Sequence, residues 1–170
     1  ICDEEAPVAI AGVMGGNNSE VSDRTVDIFL ECALFDPKAT RTTRRKLGMS
    51  TDASYRYERG VDPEGLRSAM ERCIHLVLST AGGELEWPIL DCNPVPFESS
   101  TVELRVSRIE KLLGIPFEAG YVGELLAPLG FVVENEIDGV LHVRVPGFRS
   151  YDVTREVDLI EEVARTHGFD

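Results

Sequence analysis

A stretch without helix or strand periodicity, residues 86–100, divides this chain of 170 residues. Pro88, Pro94 and Pro96 interrupt regular structure there, because proline lacks a backbone N–H and clashes with a preceding helical turn. A linker at this place leaves two small parts rather than one large core. The sequence therefore predicts two domains, residues 1–96 and residues 97–170, each of α+β class.

The first part begins with an apolar run over residues 7–16 that ends in glycines, which predicts a buried strand and a tight turn. Residues 26–33 are rich in β-branched and aromatic residues and predict a second strand. Asp36 is expected to cap a helix that continues to about Leu47, where Gly48 ends it.

Residues 51–63 are dense in polar, aromatic and arginine residues and have no amphipathic period. Such a stretch is costly to bury without partners, so it predicts a loop near a site. Residues 63–65 (PEG) are expected to open a further helix, and residues 81–83 (AGG) to end it. Apolar side chains from Leu66 to Leu78 are spaced three and four positions apart, which predicts that this helix faces a core.

The second part alternates helix and strand patterns. Its predicted elements are a strand over 101–106, helices over 108–113 and 120–129, strands over 131–133 and 141–145, and a helix over 152–167. Ser107 is expected to cap the first of these helices, and Asp138-Gly139 to form a hairpin turn. A helical pair followed by a β-hairpin resembles the winged-helix proteins that bind DNA.

Charge is distributed unevenly along the chain. The formal net charge of −13 argues against binding of nucleic acid by bulk charge, and no apolar run is long enough for a membrane helix. Residues 37–60 nevertheless hold seven basic and two acidic residues. This basic segment is either a solvated helix surface or a contact for a polyanion.

Acidic residues concentrate near the end of the chain. Asp152, Asp158, Glu161 and Glu162 lie within about three helical turns. They either complement the dipole at a helix N-terminus or supply oxygen ligands to Mg²⁺, and spacing alone favours the first interpretation. The four cysteines are widely spaced and do not have zinc-ligand spacing, which favours reduced thiols.

Several of these stretches together resemble one family. Residues 9–16 (AIAGVMGG), 30–37 (LECALFDP), 51–63 (TDASYRYERGVDP) and 158–165 (DLIEEVAR) look like the beta subunit of bacterial phenylalanine–tRNA ligase. The resemblance implies that residues 1–96 are the later part of a mixed α/β tRNA editing domain. It also implies that residues 97–170 are the small, winged-helix-like domain that follows. The chain is then expected to be a piece of a longer protein, without upstream strands and a histidine that help to line the editing pocket.

The resemblance implies a site that hydrolyses mischarged Tyr-tRNA(Phe). Its substrate-binding residues would be Ala11, Gly12, Gly15, Glu31, Thr51 and Ala53. Glu31 would accept a hydrogen bond from the tyrosyl hydroxyl, the glycines would let the ester approach the backbone, the alanines would shape the wall, and Thr51 would orient substrate or water. A buried acceptor is expected, and a positioned water rather than a side-chain nucleophile would carry out the hydrolysis.

The resemblance also implies cofactors and partners. Asp152, Asp158, Glu161 and Glu162 would hold Mg²⁺ together with an alpha subunit, in an (αβ)₂ heterotetramer that binds tRNA(Phe) in the cytoplasm. The holoenzyme would use ATP to attach Phe to tRNA, but this segment would neither bind ATP nor charge tRNA alone. The alternative from the residues themselves is a stand-alone module that binds nucleic acid or protein through its second domain.

Overall fold

Residues 1–168 are described by the computed structural model and form two units, one over Ile1–Cys92 and the other from Asn93 onwards. The division falls inside the segment 86–100, which contains no helix or strand. Both units combine helices with antiparallel strands, so the fold class is α+β, as expected. No helix in the described part of the chain is both long and apolar enough to cross a membrane.

The first unit contains one short hairpin and three helices. Its elements are β1 (Ala9–Ile10), β2 (Met14–Gly15), α1 (Pro37–Leu47), α2 (Asp52–Tyr57) and α3 (Leu66–Ala81). The prediction for α1 is confirmed in detail: the Asp36 side chain accepts a hydrogen bond from the backbone N–H of Ala39, and Gly48 ends the helix in the left-handed conformation. Helix α3 ends as predicted at Ala81, but it begins at Leu66, because residues 63–65 form a turn that precedes it.

Three other predictions for the first unit are wrong. Residues 26–33 do not form a strand, because no described segment pairs with their backbone, and Val26 and Phe29 are about 90% exposed. The helix α3 does not face a core, since none of its residues is buried. Residues 51–63 are not all loop, because α2 forms at their start.

The second unit is built around a three-stranded antiparallel sheet. Its elements are β3 (Thr101–Arg105), α4 (Val106–Leu113), α5 (Ala119–Leu126), β4 (Val132–Ile137), β5 (Val140–Arg144) and α6 (Glu156–His167). Strand β5 lies between β3 and β4, and Asp138 and Gly139 join β4 to β5 with both φ angles positive. This is the backbone of the predicted two-residue hairpin turn.

The apolar core of the second unit lies where α5 and α6 pack on the sheet. Its fully buried side chains include Leu104, Ile109, Val122, Leu126, Leu141, Val143, Leu159 and Val163. In the first unit, by contrast, Val13 is the only buried large apolar side chain among the described residues. The second unit therefore has a conventional apolar core, whereas the described part of the first unit has no comparable cluster of buried apolar side chains.

Two helix starts in the second unit differ from the predictions. Helix α4 begins at Val106 with Arg105 at its N-cap, so Ser107 does not cap it. Helix α6 begins at Glu156 rather than Asp152, because Asp158 accepts the backbone N–H groups of Thr154 and Arg155 and so sets the first turn.

Candidate functional site

The glycine-rich hairpin of the first unit turns at Gly12. Its φ angle is +67°, and a Cβ atom there would lie 3.0 Å from the ring of Phe35 and 3.1 Å from Oγ1 of Thr40. Only glycine meets both demands without strain. The turn between β1 and β2 therefore packs directly on Phe35 and on α1.

Helix α2 is tied to the same hairpin through Thr51. The Thr51 hydroxyl donates a hydrogen bond to the backbone oxygen of Val13 at 2.6 Å and accepts one from the backbone N–H of Ser54 at 3.0 Å. The Ser54 hydroxyl closes a reciprocal capping box by accepting the Thr51 N–H. Thr51 thus anchors α2 beside the hairpin, 38 residues away in sequence.

These ties create a shallow depression of about 150 Å³ between the hairpin, α2 and the segment before α1. It is lined by Ile1, Ala9, Ile10, Gly12, Val13, Met14, Gly15, Glu31, Phe35, Ala53 and Tyr57. Four of the six predicted substrate-binding residues therefore meet in one place: Gly12, Gly15, Glu31 and Ala53. Ala11 and Thr51 are not in the lining.

Glu31 differs from the expectation in its burial. The sequence led us to expect a buried acceptor, but the Glu31 side chain is exposed at the depression. The reason is that residues 26–33 have no strand partner in the described structure, so nothing covers their outer side. Its carboxylate can still accept a hydrogen bond from a group placed in the depression.

Two aromatic residues of the lining were not among the predicted site residues. The rings of Phe35 and Tyr57 contact each other edge to face, with centroids 4.9 Å apart. Burial, and then the negative charge of Glu31, raise the pKa of the Tyr57 hydroxyl above its usual value. The sequence could have indicated Tyr57 through its spacing from Ala53, because residues four positions apart lie on the same side of a helix once α2 is recognised.

Gly15 lies between this depression and a second, larger one. The second depression of about 400 Å³ is lined by Met14, Gly15, Gly16, Asn17, Ser19 and Glu20. A Cβ atom on Gly15 would meet no atom within 4 Å, so the space beside its backbone is open. A ligand can therefore approach the Gly15 backbone closely, and the role of Gly15 in substrate binding stays a prediction.

A buried carboxylate organises the basic segment behind α2. The Glu58 side chain is buried, and Arg44 donates to its two oxygens at 2.5 and 3.0 Å. Arg59 lies 3.1 Å and Arg41 3.9 Å from the same carboxylate. The hydrogen bond from Arg44 is the main reason that the pKa of Glu58 lies below its usual value.

The predicted magnesium ligands of the second unit are engaged differently. Arg149 donates to Glu162 at 2.6 Å, and Arg165 donates to the other oxygen of Glu162. Burial alone would raise the pKa of Glu162, but these two hydrogen bonds outweigh it, and the pKa is lowered. Asp158 accepts two backbone N–H groups and the Arg155 guanidinium, and the bond from Arg155 contributes most to its lowered pKa.

The other two carboxylates are exposed. Asp152 accepts from Arg149 at 2.9 Å, while Glu161 has no ion-pair partner among residues 1–168. No group of three or more metal-ligating side chains lies together within that range. As arranged, three of the four carboxylates are neutralised by arginines, so this chain by itself does not form an oxygen-ligand site that fits Mg²⁺.

Comparison with known proteins agrees with the two-part organisation. The family described as B3/4 domain matches residues 1–82, and the family described as tRNA synthetase B5 domain matches residues 102–169. The second description assigns residues 102–169 to a domain of the aminoacyl-tRNA synthetase class. A crystal structure of an N-terminal fragment of the phenylalanyl-tRNA synthetase beta subunit from Pyrococcus horikoshii is 28% identical, with a TM-score of 0.38, and the match covers 42% of this chain and 20% of that one.

Sequence relatives narrow the class to one family. The phenylalanine–tRNA ligase beta subunits of Protochlamydia amoebophila and Salinibacter ruber are each 47% identical over 170 residues, and that of Syntrophus aciditrophicus is 44% identical over 173 residues. Each match covers 100% of this chain but only 20 or 21% of the relative. The chain belongs to the phenylalanine–tRNA ligase beta subunit family and spans about a fifth of the length of these relatives.

Proposed function

We propose that the first unit forms part of a hydrolytic site that removes tyrosine from mischarged tRNA(Phe). One observation supports the proposal: Gly12 and Gly15 of the hairpin, Glu31 and Ala53 line a single depression although they come from three separate segments of the chain. The family membership supports it, because its relatives are named as ligases of phenylalanine and tRNA.

Such a site is needed because the binding pocket of a synthetase cannot fully exclude tyrosine when it selects phenylalanine. Tyrosine differs from phenylalanine by one hydroxyl, and an apolar pocket rejects an added hydroxyl by only about 10²-fold. A second site that recognises the hydroxyl and hydrolyses the ester corrects the remaining errors. Glu31 would accept the hydrogen bond from the tyrosyl hydroxyl, and phenylalanine would leave that carboxylate without a partner.

The rest of the lining fits an ester rather than a side-chain nucleophile. The residues that line the depression include no serine, cysteine or histidine. The space beside the Gly15 backbone is open, so the ester and an attacking water can lie close to this strand of the hairpin. A water molecule held against the backbone would then attack the ester. Most of the rate enhancement would come from holding this water and the ester close together in the right orientation.

The whole protein that contains this chain is proposed to act as one subunit of a larger enzyme. It would assemble with an alpha subunit in an (αβ)₂ heterotetramer and attach Phe to tRNA(Phe) in the cytoplasm with ATP, which other parts of the enzyme bind. Magnesium at Asp152, Asp158, Glu161 and Glu162 stays a prediction, and it requires ligands from outside the described residues.

The second unit is proposed to be a scaffold rather than a reader of nucleic acid. In helix-turn-helix proteins the second helix of the motif enters the major groove of DNA. The corresponding helix here, α5, contains Glu124 and no lysine or arginine. Residues 97–170 hold fourteen acidic and seven basic residues, which opposes binding to a phosphate backbone.

The test replaces Glu31 in the full enzyme. Glu31→Ala is expected to lower kcat/KM for deacylation of Tyr-tRNA(Phe) by about 10-fold or more, since a hydrogen bond to a charged group contributes about 1.5–3 kcal/mol. Charging of tRNA with Phe should be unchanged. Glu84→Ala, which removes an exposed carboxylate after α3, is the matched control. Unchanged clearance of Tyr-tRNA(Phe) in Glu31→Ala would overturn the proposal.

A further inference from the structure

Helix α2 presents different chemistry on each of its sides. Ala53 and Tyr57, four residues apart, line the depression, while Ser54 and Glu58 are buried. Glu58 makes its ion pairs with arginines of α1, so this pair marks the side that α1 covers. The remaining sides of α2 are exposed to solvent.

The order of these exposed sides follows from helix geometry. At about 100° per residue, Arg56 lies next to the side that faces the depression, and Tyr55 with Arg59 lies beyond it. A chain that leaves the depression over the exposed side of α2 meets Arg56 first. It then meets Tyr55 and Arg59, and after these the basic side of α1.

Tyr55 and Arg59 form a stacked pair. The Arg59 guanidinium carbon lies 3.6 Å from the centroid of the Tyr55 ring. Arg59 also donates to the backbone oxygen of Tyr55 at 2.7 Å and to Glu58 at 3.1 Å, so its orientation is set by three contacts. Tyr55 is nevertheless 58% exposed. An exposed, preoriented aromatic–arginine pair is a platform on which a nucleobase can stack.

The basic residues around this pair are free to bind an external anion. Lys38, Arg41 and Arg45 are spaced three and four positions apart, so they share one side of α1. Among the residues described, Lys38, Arg45 and Arg56 are exposed and have no ion-pair partner. The Glu58 carboxylate is already engaged by Arg44. Asp52 is an exposed carboxylate of α2, but the basic residues outnumber it, so a net positive surface extends from the depression along α2 to α1.

We propose that this platform surface, formed by Arg56, Tyr55, Arg59, Arg45 and Lys38, binds single-stranded RNA that leads into the depression. The inference rests on the proposed function in one respect, that the ester in the depression is carried by RNA. Single-stranded RNA fits better than a free phosphate or a duplex, because basic residues spread along a path would contact successive phosphates while an exposed ring stacks on an unpaired base. A duplex hides its bases and would use only the charge.

The experiment measures binding of a fluorescein-labelled 12-nucleotide single-stranded RNA to the full-length protein that contains this chain. Tyr55→Ala is expected to weaken binding by about 5-fold or more without changing the salt dependence, since it removes stacking and not charge. Arg56→Gln and Arg45→Gln should each weaken binding and lower the slope of log K against log salt by about 0.7. Tyr55→Phe keeps the ring and should bind as the wild type does.

Three controls test whether the loss of RNA binding arises at the platform surface and not elsewhere on the protein. Arg72→Gln removes an exposed arginine of α3 that has no ion-pair partner in the described structure, and it should change nothing. A 12-base-pair RNA duplex should be insensitive to Tyr55→Ala. RNA that contains 4-thiouridine should crosslink, on irradiation, to the peptide that holds Tyr55. Crosslinks found only elsewhere, or unchanged binding of the single strand in Tyr55→Ala, would overturn the inference.

The probe carries no amino acid, so its binding is independent of hydrolysis. If Glu31→Ala leaves deacylation intact while Tyr55→Ala loses RNA binding, the proposed function fails and the platform surface stands. If Glu31→Ala abolishes deacylation while all three RNA-binding variants bind normally, the platform surface fails and the hydrolytic site stands.

Discussion

Glu162 offers a direct test of how the acidic helix of the second unit is stabilised. Its side chain is 7% exposed, and its two oxygens accept hydrogen bonds from Arg149 and Arg165. Glu162→Gln keeps the size of the side chain and removes its charge. Arg149, itself 20% exposed, would keep Asp152 but lose its buried partner.

The cost can be worked out from these contacts. A hydrogen bond between charged groups that is largely buried contributes about 1.5–3 kcal/mol, and the pair with Arg165, which is 55% exposed, adds about 0–1 kcal/mol. We therefore expect Glu162→Gln to lower the free energy of unfolding by about 1.5–4 kcal/mol. For a domain of this size the Tm should fall by roughly 6–30 °C.

The assay is thermal unfolding followed by far-UV circular dichroism in buffer with EDTA. Glu161→Gln is the matched control, because Glu161 is adjacent and exposed and has no ion-pair partner among residues 1–168. It should change the free energy of unfolding by less than about 0.5 kcal/mol. Equal Tm values for the two variants would refute the reasoning. A Tm of the wild type that depends on Mg²⁺ would show instead that this chain holds the ion by itself.

Two further predictions concern the hairpin and the response to acid. Gly12→Ala should lower the free energy of unfolding of the first unit by about 1–3 kcal/mol in urea, because φ is +67° and the new methyl group meets Phe35. Gly15→Ala should leave that free energy unchanged, because the space beside Gly15 is open, but it should slow deacylation by narrowing the depression. The pKa values of Glu162 and Asp158 are lowered in the folded state, so their contribution to stability is present above the ordinary values of 4.5 and 3.8 and is lost as pH falls below them. An acid titration of the unfolding free energy should therefore slope downward below about pH 4.5, and less steeply in Glu162→Gln; a flat profile would contradict this account.

Local signals in the sequence predicted the elements whose ends depend on one or two residues. Asp36 and Gly48 bound α1 through a side-chain cap and a left-handed residue, both of which act within four residues. Asp138-Gly139 specifies its turn in the same way. These features need no information about the rest of the fold.

The prediction was wrong where an element depends on distant partners. Residues 26–33 have strand composition, but a strand also needs a neighbouring backbone, and none of the described residues supplies one. Helix α2 has too few residues to show a period and depends on Thr51 reaching Val13. Family resemblance therefore named four of the residues that line the depression, together with Ala11 and Thr51, which do not line it, whereas Phe35 and Tyr57 became evident only once α2 was placed.

The ties around the hairpin have a consequence for variation in chain length. The side chains of Asn18 and Ser19 donate to the backbone oxygens of Pro7 and Val8, and Phe35 is held against Gly12. Between these two anchors, residues 20–30 make only a local turn from Ser22 to Thr25. Insertions or deletions there would leave the floor of the depression intact, so this loop is where homologous proteins can differ in length and where a reporter group can be inserted.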